Sequence, residues 1–581
     1  MSISITSAAG ATAWGKAVIG AVAVLAVAMG AAAGSFLITG RTDAVGGGAS
    51  YVPASAPFYV ELRLDASAEQ DAALREVLGR FPAIEGLDLD SALYNQLGDH
   101  IDEMLAGEDT ELSWAADVAP WFDGRIALAV LDIPIEAMSG EMPADAEQAP
   151  PMVALLGVTD RAAAEASIER LLAEADEGPT FTQQSHAGIT IHASDDEGAY
   201  ALTGDQLLLA PRADDIVTAL DAYADPATTV AELDEITSLT ESLPDDWLAF
   251  ALYDMRDLMT AALESATAEE PEMAETFRSL LESQPLRGAF AFSAAGDRLA
   301  LDVATDPPSG ELAVQNVDRG LADEVPSDVI YYSEAGNLGA SFTAFIGPMK
   351  EAMASTPEGE EQIATMEAAL GADLEDLVSW IDDGAVAIGV EDGEPYGGLL
   401  LVPKDVDAAE RRLSQLSSFA TLAGLDPESG VTVEESEIGS HSVTTIRWQD
   451  AGAMPDPMLP VPPAISVQYT VTDDRAVIGF GESFVGRVLE LDAGDSLASQ
   501  ARFTDAIEDL GGASSTALTW VDIAAARQAI EAAMAPAIAM FDPSGEYEAE
   551  VLPWLEPLDR LVSVTRLEGD VLLQRGALLV D

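Results

Sequence analysis

The 581-residue chain carries 102 Asp plus Glu against 26 Lys plus Arg, a formal net charge of -76, and no cysteine. That balance excludes nucleic acid as a partner, since a phosphate backbone is bound through clustered Lys and Arg, and it disfavours adsorption to an anionic bilayer. Without cysteine there is no disulfide, thiol nucleophile, Cys-ligated zinc or iron–sulfur centre. A hydrophobic content of 48% fills sizeable cores, so the acidity belongs to the surface of folded domains and not to a disordered tail. Such a surface fits work at high ionic strength, or a proteome biased toward Asp, Glu, Ala and Gly. Weak, nonspecific binding of Na+, Mg2+ or Ca2+ is the cation chemistry it implies, with no cofactor.

In chain order, residues 1–16 read as a short cytoplasmic tail. Ala17–Ile38 follows with no charged residue in its 22 positions, long enough to cross about 30 Å of hydrocarbon as a helix. The expected arrangement is a retained single-pass anchor in the cell membrane, with the bulk of the chain extracytoplasmic. A signal peptide cleaved near Ala31–Gly34 is the competing reading. Residues 39–50, ending in GGGAS, read as a flexible stem.

The body reads as two duplicated modules, 51–320 and 321–581. Tyr200–Leu220 (YALTGDQLLLAPRADDIVTAL) and Tyr469–Leu491 (YTVTDDRAVIGFGESFVGRVLEL) share one polarity pattern. VPASAPFYVEL with Pro53 is answered by VPSDVIYYSEA with Pro326, each a proline-marked entry to a first strand. Ser67 and Gln70 form a capping-box pattern ahead of Leu74, Val77 and Leu78. Trp121, Asp123 and Gly124 are matched by Trp380, Asp383 and Gly384, each set preceding a strand. Asp160 and Asp405 sit where helices start. The Ile189–Ala193 region answers Val443–Trp448, and Gly204–Asp205 answers Asp473–Asp474. Strand Trp247–Asp254 answers Ala517–Asp522, and closing hairpins turn at Gly296–Asp297 and Gly569–Asp570. Per module the order is β, α, ββα, ββα, βα, ββ. Short turns between strands imply α+β modules, each a mainly antiparallel sheet with helices on one face. A parallel, doubly wound sheet is the alternative.

Signs of catalysis are missing. HExxH, GxSxG, Walker-A and dinucleotide fingerprints are absent from the sequence. GESFVG at Gly481–Gly486 has its serine in the wrong register for a nucleophile elbow. His186 and His192, if on one straight strand, lie about 20 Å apart and share no ion; His100 and His441 complete the histidines. Ser185–His186 matches Ser440–His441, an inherited turn before a strand. The lysines are Lys16, Lys350 and Lys404, with no serine motif beside them. Asp382 with Asp383, or Glu434 with Glu435, have the residue types of a glycosidase-like or cation site, against a default of solvated acidic surface. No catalytic, cofactor or metal residue is assigned.

The anchor run, the small-residue stem, VPASAPFYVELRLDASAEQDAAL and GDQLLLAPRADDIVTAL together resemble a bacterial, mainly actinobacterial and cyanobacterial, family of unknown function numbered 3352. The resemblance implies a membrane-associated or exported protein and brings no catalytic residues with it. The expected role is an anchored extracytoplasmic protein that binds a lipid, another envelope component or a protein partner. The alternatives are an envelope hydrolase using Asp/Glu chemistry and a passive structural or assembly factor.

Overall fold

A computed structural model describes residues 47–82, 113–133, 150–174, 180–194, 198–269, 285–354, 356–391, 394–423, 430–449, 464–492, 494–541 and 545–581. The expected tail, the anchor Ala17–Ile38, most of the stem and His100 lie outside them. Among the described residues no helix is long and apolar enough to cross a membrane. The described chain divides into two compact units, 47–265 with 285–306, and 266–269 with 307–581.

The first unit is built on ten strands: β1 (Phe58–Arg63), β2 (Phe122–Val130), β3 (Met152–Val158), β4 (Thr182–His186), β5 (Ile189–Ser194), β6 (Gly198–Leu202), β7 (Gln206–Ala210), β8 (Ala249–Asp254), β9 (Arg287–Ala295) and β10 (Arg298–Thr305). They pair in the order β4-β5-β6-β7-β3-β2-β1-β8-β9-β10, every neighbour antiparallel.

The second unit has β11 (Val317–Asp318), β12 (Val329–Ala335), β13 (Ile381–Glu391), β14 (Glu394–Pro403), β15 (Val431–Ile438), β16 (His441–Gln449), β17 (Ala464–Val471), β18 (Ala476–Phe480), β19 (Ser514–Ser515), β20 (Ala517–Asp522), β21 (Leu558–Glu568) and β22 (Val571–Val580). Apart from the two-residue ladder β11–β19, they pair as β15-β16-β17-β18-β14-β13-β12-β20-β21-β22, again antiparallel throughout. Position by position this is the strand order of the first unit. Parallel pairing, the alternative, is not found between the described strands within either unit.

The entry to each sheet repeats too. Val52 O accepts from Val230 N at 3.0 Å and Ala54 N donates to Thr228 O at 2.8 Å; Val325 O accepts from Leu497 N at 2.8 Å and Ser327 N donates to Asp495 O at 2.8 Å. Pro53 and Pro326 sit between these bonds, where a missing N–H costs nothing. Both closing hairpins turn on a left-handed glycine, Gly296 (φ 61) and Gly569 (φ 63).

Three expectations need correction. Helices cover both faces of the sheets, not one. In the second unit Ala409 and Leu413 of helix Val406–Ala423 pack with Leu401 and Ala476. On the opposite face Phe484, Val485, Phe503 and Ile507, from helices Phe484–Leu489 and Ala501–Asp509, pack with Leu400, Val477 and Tyr332. The cause is legible in the strands: LLL in β14 and QLLLA in β7 are apolar on both sides and need cover twice. Next, the stem ends early. Gly47–Tyr51 is a 3-10 turn with Gly48, Ala49 and Tyr51 buried. A Cβ on Gly48 would stand 3.0 Å from Tyr59 Oη and 3.2 Å from Ala127 Cβ, so a stretch that reads as linker is glycine-rich for close packing. Finally, each sheet has ten strands where the sequence predicts eight, four strands standing where it places ββ before the third helix, and β4 and β15 at the sheet edges are among the additions. Their residues are mostly exposed, so they lack the apolar alternation that marks a half-buried strand.

Candidate functional site

Along β1, Tyr59, Glu61 and Arg63 point to one face, because successive strand residues alternate. Glu61 lies between Ala127 of β2 and Phe250 of β8; Glu334 of β12 lies between Ala385 of β13 and Leu518 of β20. These are the same places in the two sheets. Tyr59 Oη donates to Glu61 Oε2 at 2.5 Å, and Tyr332 Oη donates to Glu334 Oε2 at 2.6 Å. All four side chains are buried.

Each carboxyl has an arginine nearby, reached differently. Arg63, itself buried, places Nε 3.6 Å from Glu61 Oε1 and its guanidinium 3.4 Å over the Trp247 ring. In the second unit Arg319 binds Ser515 O at 3.0 Å and Asp383 at 3.0 Å, while Leu321 N donates to Glu334 at 3.3 Å. Burial pushes the Glu61 carboxyl above the ordinary glutamate range, against the Tyr59 bond and the Arg63 charge. Burial pushes Glu334 up likewise, against Tyr332 and Arg319. Both tyrosines are driven well above their usual range by burial and by the carboxylate they face. With Glu61 at 1% and Glu334 at 3% exposure, no substrate touches these groups, so the pairs work as buttresses of the central strands. The signal for them was a Tyr-x-Glu inside an apolar strand of each half.

The residues weighed from the sequence do not converge. Asp383 accepts from Arg319 and from Asn337 N at 3.1 Å, while its neighbour Asp382 is exposed. Glu434 pairs with Arg447, and adjacent strand residues such as Glu434 and Glu435 face opposite ways. Ala187–Gly188 turn between His186 and His192, which therefore lie on paired strands and not on one. His192 stands opposite Gln183 and stacks on Tyr200 at 4.5 Å; His186 meets Asp221 at 2.6 Å. His441 opens β16 whereas His186 ends β4, so their expected equivalence fails by register: Ile438 holds the place of His186. Lys350 is held by Glu367 and Glu375, and Lys404 donates to Ser379 O. Among the described residues no three His, Asp or Glu side chains gather around a common point.

What does stand out is apolar. Of seventeen strongly exposed large apolar side chains among the described residues, sixteen belong to the second unit; the first contributes Tyr223, which stacks on Tyr51 at 4.2 Å. Several lie on one sheet face. Registers align Phe480, Gly397, Ile388, Tyr331, Val521 and Leu561 in a row across six strands. Phe480 is 53% exposed, Ile388 41% and Leu561 38%. The row shares its face with Leu399, Leu401 and Ile478, on which helix Val406–Ala423 packs. It lies four residues along β14 from Leu401, about 13 Å from that cover. Leu416, Phe419 and Leu422 form an exposed ridge on the same helix. Beside it a groove of about 580 Å³ is lined by Leu370, Phe419 and Leu422 with Glu410, Arg411 and Ser414.

The family described as "Protein of unknown function (DUF3352)" matches residues 18–553, and the chain belongs to it. No curated protein matches the chain. A solved structure titled "Structure of crystal form I of TP0453" is similar at 10% identity over 47% of this chain and 95% of that one; its TM-score of 0.17 carries no argument.

Proposed function

We propose that this member of the DUF3352 family is a non-enzymatic, membrane-anchored extracytoplasmic protein that binds a lipid-class component of the cell envelope on its second unit. The observation that carries the reading is the concentration of exposed apolar side chains there, with Phe480, Ile388 and Leu561 in one row on a face that helix Val406–Ala423 covers farther along β14. A strongly acidic chain keeps such a surface at a solubility cost, and patches of this kind mark binding sites. No basic cluster accompanies the row, which favours an uncharged apolar ligand over an anionic one. Anchoring through Ala17–Ile38 remains the sequence's expectation.

We also infer that the units arose by duplication. Identical strand order, the matched Val-Pro entries and the matched Tyr-x-Glu pairs support that reading. The strand charges agree as well, since Asp254 stands opposite Arg287 and Asp522 opposite Arg560; the helix residue above them differs, Glu235 bridging Arg256 and Arg287 and Arg502 bridging Asp522 and Asp559. The first unit, which among its described residues exposes Tyr223 alone of the large apolar side chains, is then the scaffold copy and the second the binding copy.

The test is titration of the full chain with a fluorescent diacylglycerol. Saturable uptake, weakened at least tenfold in Ile388→Glu/Phe480→Glu with unchanged circular dichroism, supports the proposal. Equal uptake by both proteins, or none by either, refutes it.

A further inference from the structure

We propose that helix Leu338–Ala354 docks on the surface of a neutral, zwitterionic lipid bilayer through Phe342, Phe345 and Met349. This deepens the lipid-binding reading and rests on it in assigning contact to the second unit. The three side chains are 43%, 67% and 43% exposed. Spaced three and four residues apart, they form one ridge. A surface helix ordinarily turns its charged side to water; this one turns two phenylalanines and a methionine outward. Leu338, at its start, packs against the core around Trp380 and Leu401, which seats the helix on the sheet face that also carries the open apolar row.

Charge selects the occupant. Asp and Glu make up 102 of 581 residues, yet Leu338–Met349 contains none. Lys350, which ends the ridge, is held by Glu367 at 2.7 Å and Glu375 at 3.2 Å and offers no cation to an anionic head group. Within the ridge itself no carboxylate opposes entry into hydrocarbon, and Glu367 and Glu375, at its end, are paired with Lys350. The net charge of -76 repels an anionic leaflet, so the lipid is neutral. The uncharged run Ala17–Ile38, outside the described residues, is long enough to hold the chain at such a bilayer.

The chain has no cysteine, so Phe345→Cys introduces a unique labelling site in the full-length protein. It is labelled with a nitrobenzoxadiazole dye and mixed with phosphatidylcholine liposomes carrying doxyl lipids; Glu360→Cys, on helix Pro357–Leu370, is the comparison. The expected result is a label at 345 quenched by doxyl lipid and shielded from aqueous iodide, with the opposite pattern at 360. Adding Phe342→Ser and Met349→Ser should reduce the doxyl quenching at 345 at least threefold. A 345 label open to iodide, or quenching unchanged by the serine substitutions, overturns the proposal. Diacylglycerol uptake read in parallel separates the two claims, because the row around Ile388 is untouched: quenching at 345 that falls with the serine substitutions while no variant takes up diacylglycerol sinks the binding reading alone.

Discussion

Tyr332 Oη donates to Glu334 Oε2 at 2.6 Å in the middle of the second sheet, and Tyr59 makes the same bond to Glu61 at 2.5 Å in the first. Burial raises both carboxyls above their unfolded values. A raised acid binds its proton more tightly in the folded state. Its stabilisation is therefore complete below the unfolded pKa and is lost as pH rises through the folded one. From the ordinary glutamate range upward, each group lowers stability by up to about 1.4 kcal/mol per pH unit until it has fully ionised. Glu61→Gln/Glu334→Gln keeps an acceptor for each tyrosine and removes this dependence. Melting curves between pH 5 and 8 should be steeper for the wild type, with stability falling toward pH 8. Parallel curves would refute the assignment.

Gly48 tests whether the expected stem is part of the fold. Its missing side chain leaves room for Tyr59 Oη and Ala127 Cβ. Gly48→Leu should cost about 1–3 kcal/mol by overpacking, read as a lower denaturant midpoint. A substitution without effect would return Gly47–Tyr51 to the linker.

Glu235 and Arg502, at the same place in their helices, each hold an ion-pair clamp. Glu235→Arg sets a third guanidinium beside Arg256 and Arg287 and should lower the melting temperature. Because Glu235 is 59% exposed, the loss should stay near 1 kcal/mol and shrink in salt. Arg502→Glu should behave alike beside Asp522 and Asp559. A neutral Glu235→Arg in low salt would contradict the clamp.

The whole chain should gain stability as ionic strength rises, since a net charge of -76 repels itself in the compact state. Melting temperatures held flat across a pH-controlled salt series would show instead that the acidity is compositional.

Much of the fold was legible where burial leaves a periodic mark. The Trp121 and Trp380 turns show it: each indole donates to a carbonyl just behind it, Asp117 O at 2.6 Å and Leu377 O at 2.7 Å. Asp160 and Asp405 accept backbone N–H groups at helix starts as expected. Ser67 caps its helix through Gln70 N, but the Gln70 side chain turns away to Asp246 O and Ala294 N, so the reciprocal half of the capping box is spent on tertiary bonds. What stayed hidden was set by register and exposure. His186 and His441 look equivalent in sequence until the hairpin places one before the turn and the other after it. The exposure of Ile388, Phe480 and Leu561 leaves no mark in the sequence, which cannot say which end of a sheet its helices leave bare.

The most direct measurement is mass analysis of small molecules released from natively purified full-length protein after exhaustive detergent exchange. The account predicts a stoichiometric neutral lipid in the wild type and its loss from Ile388→Glu/Phe480→Glu. A wild type that yields no lipid and takes up no added diacylglycerol would contradict it.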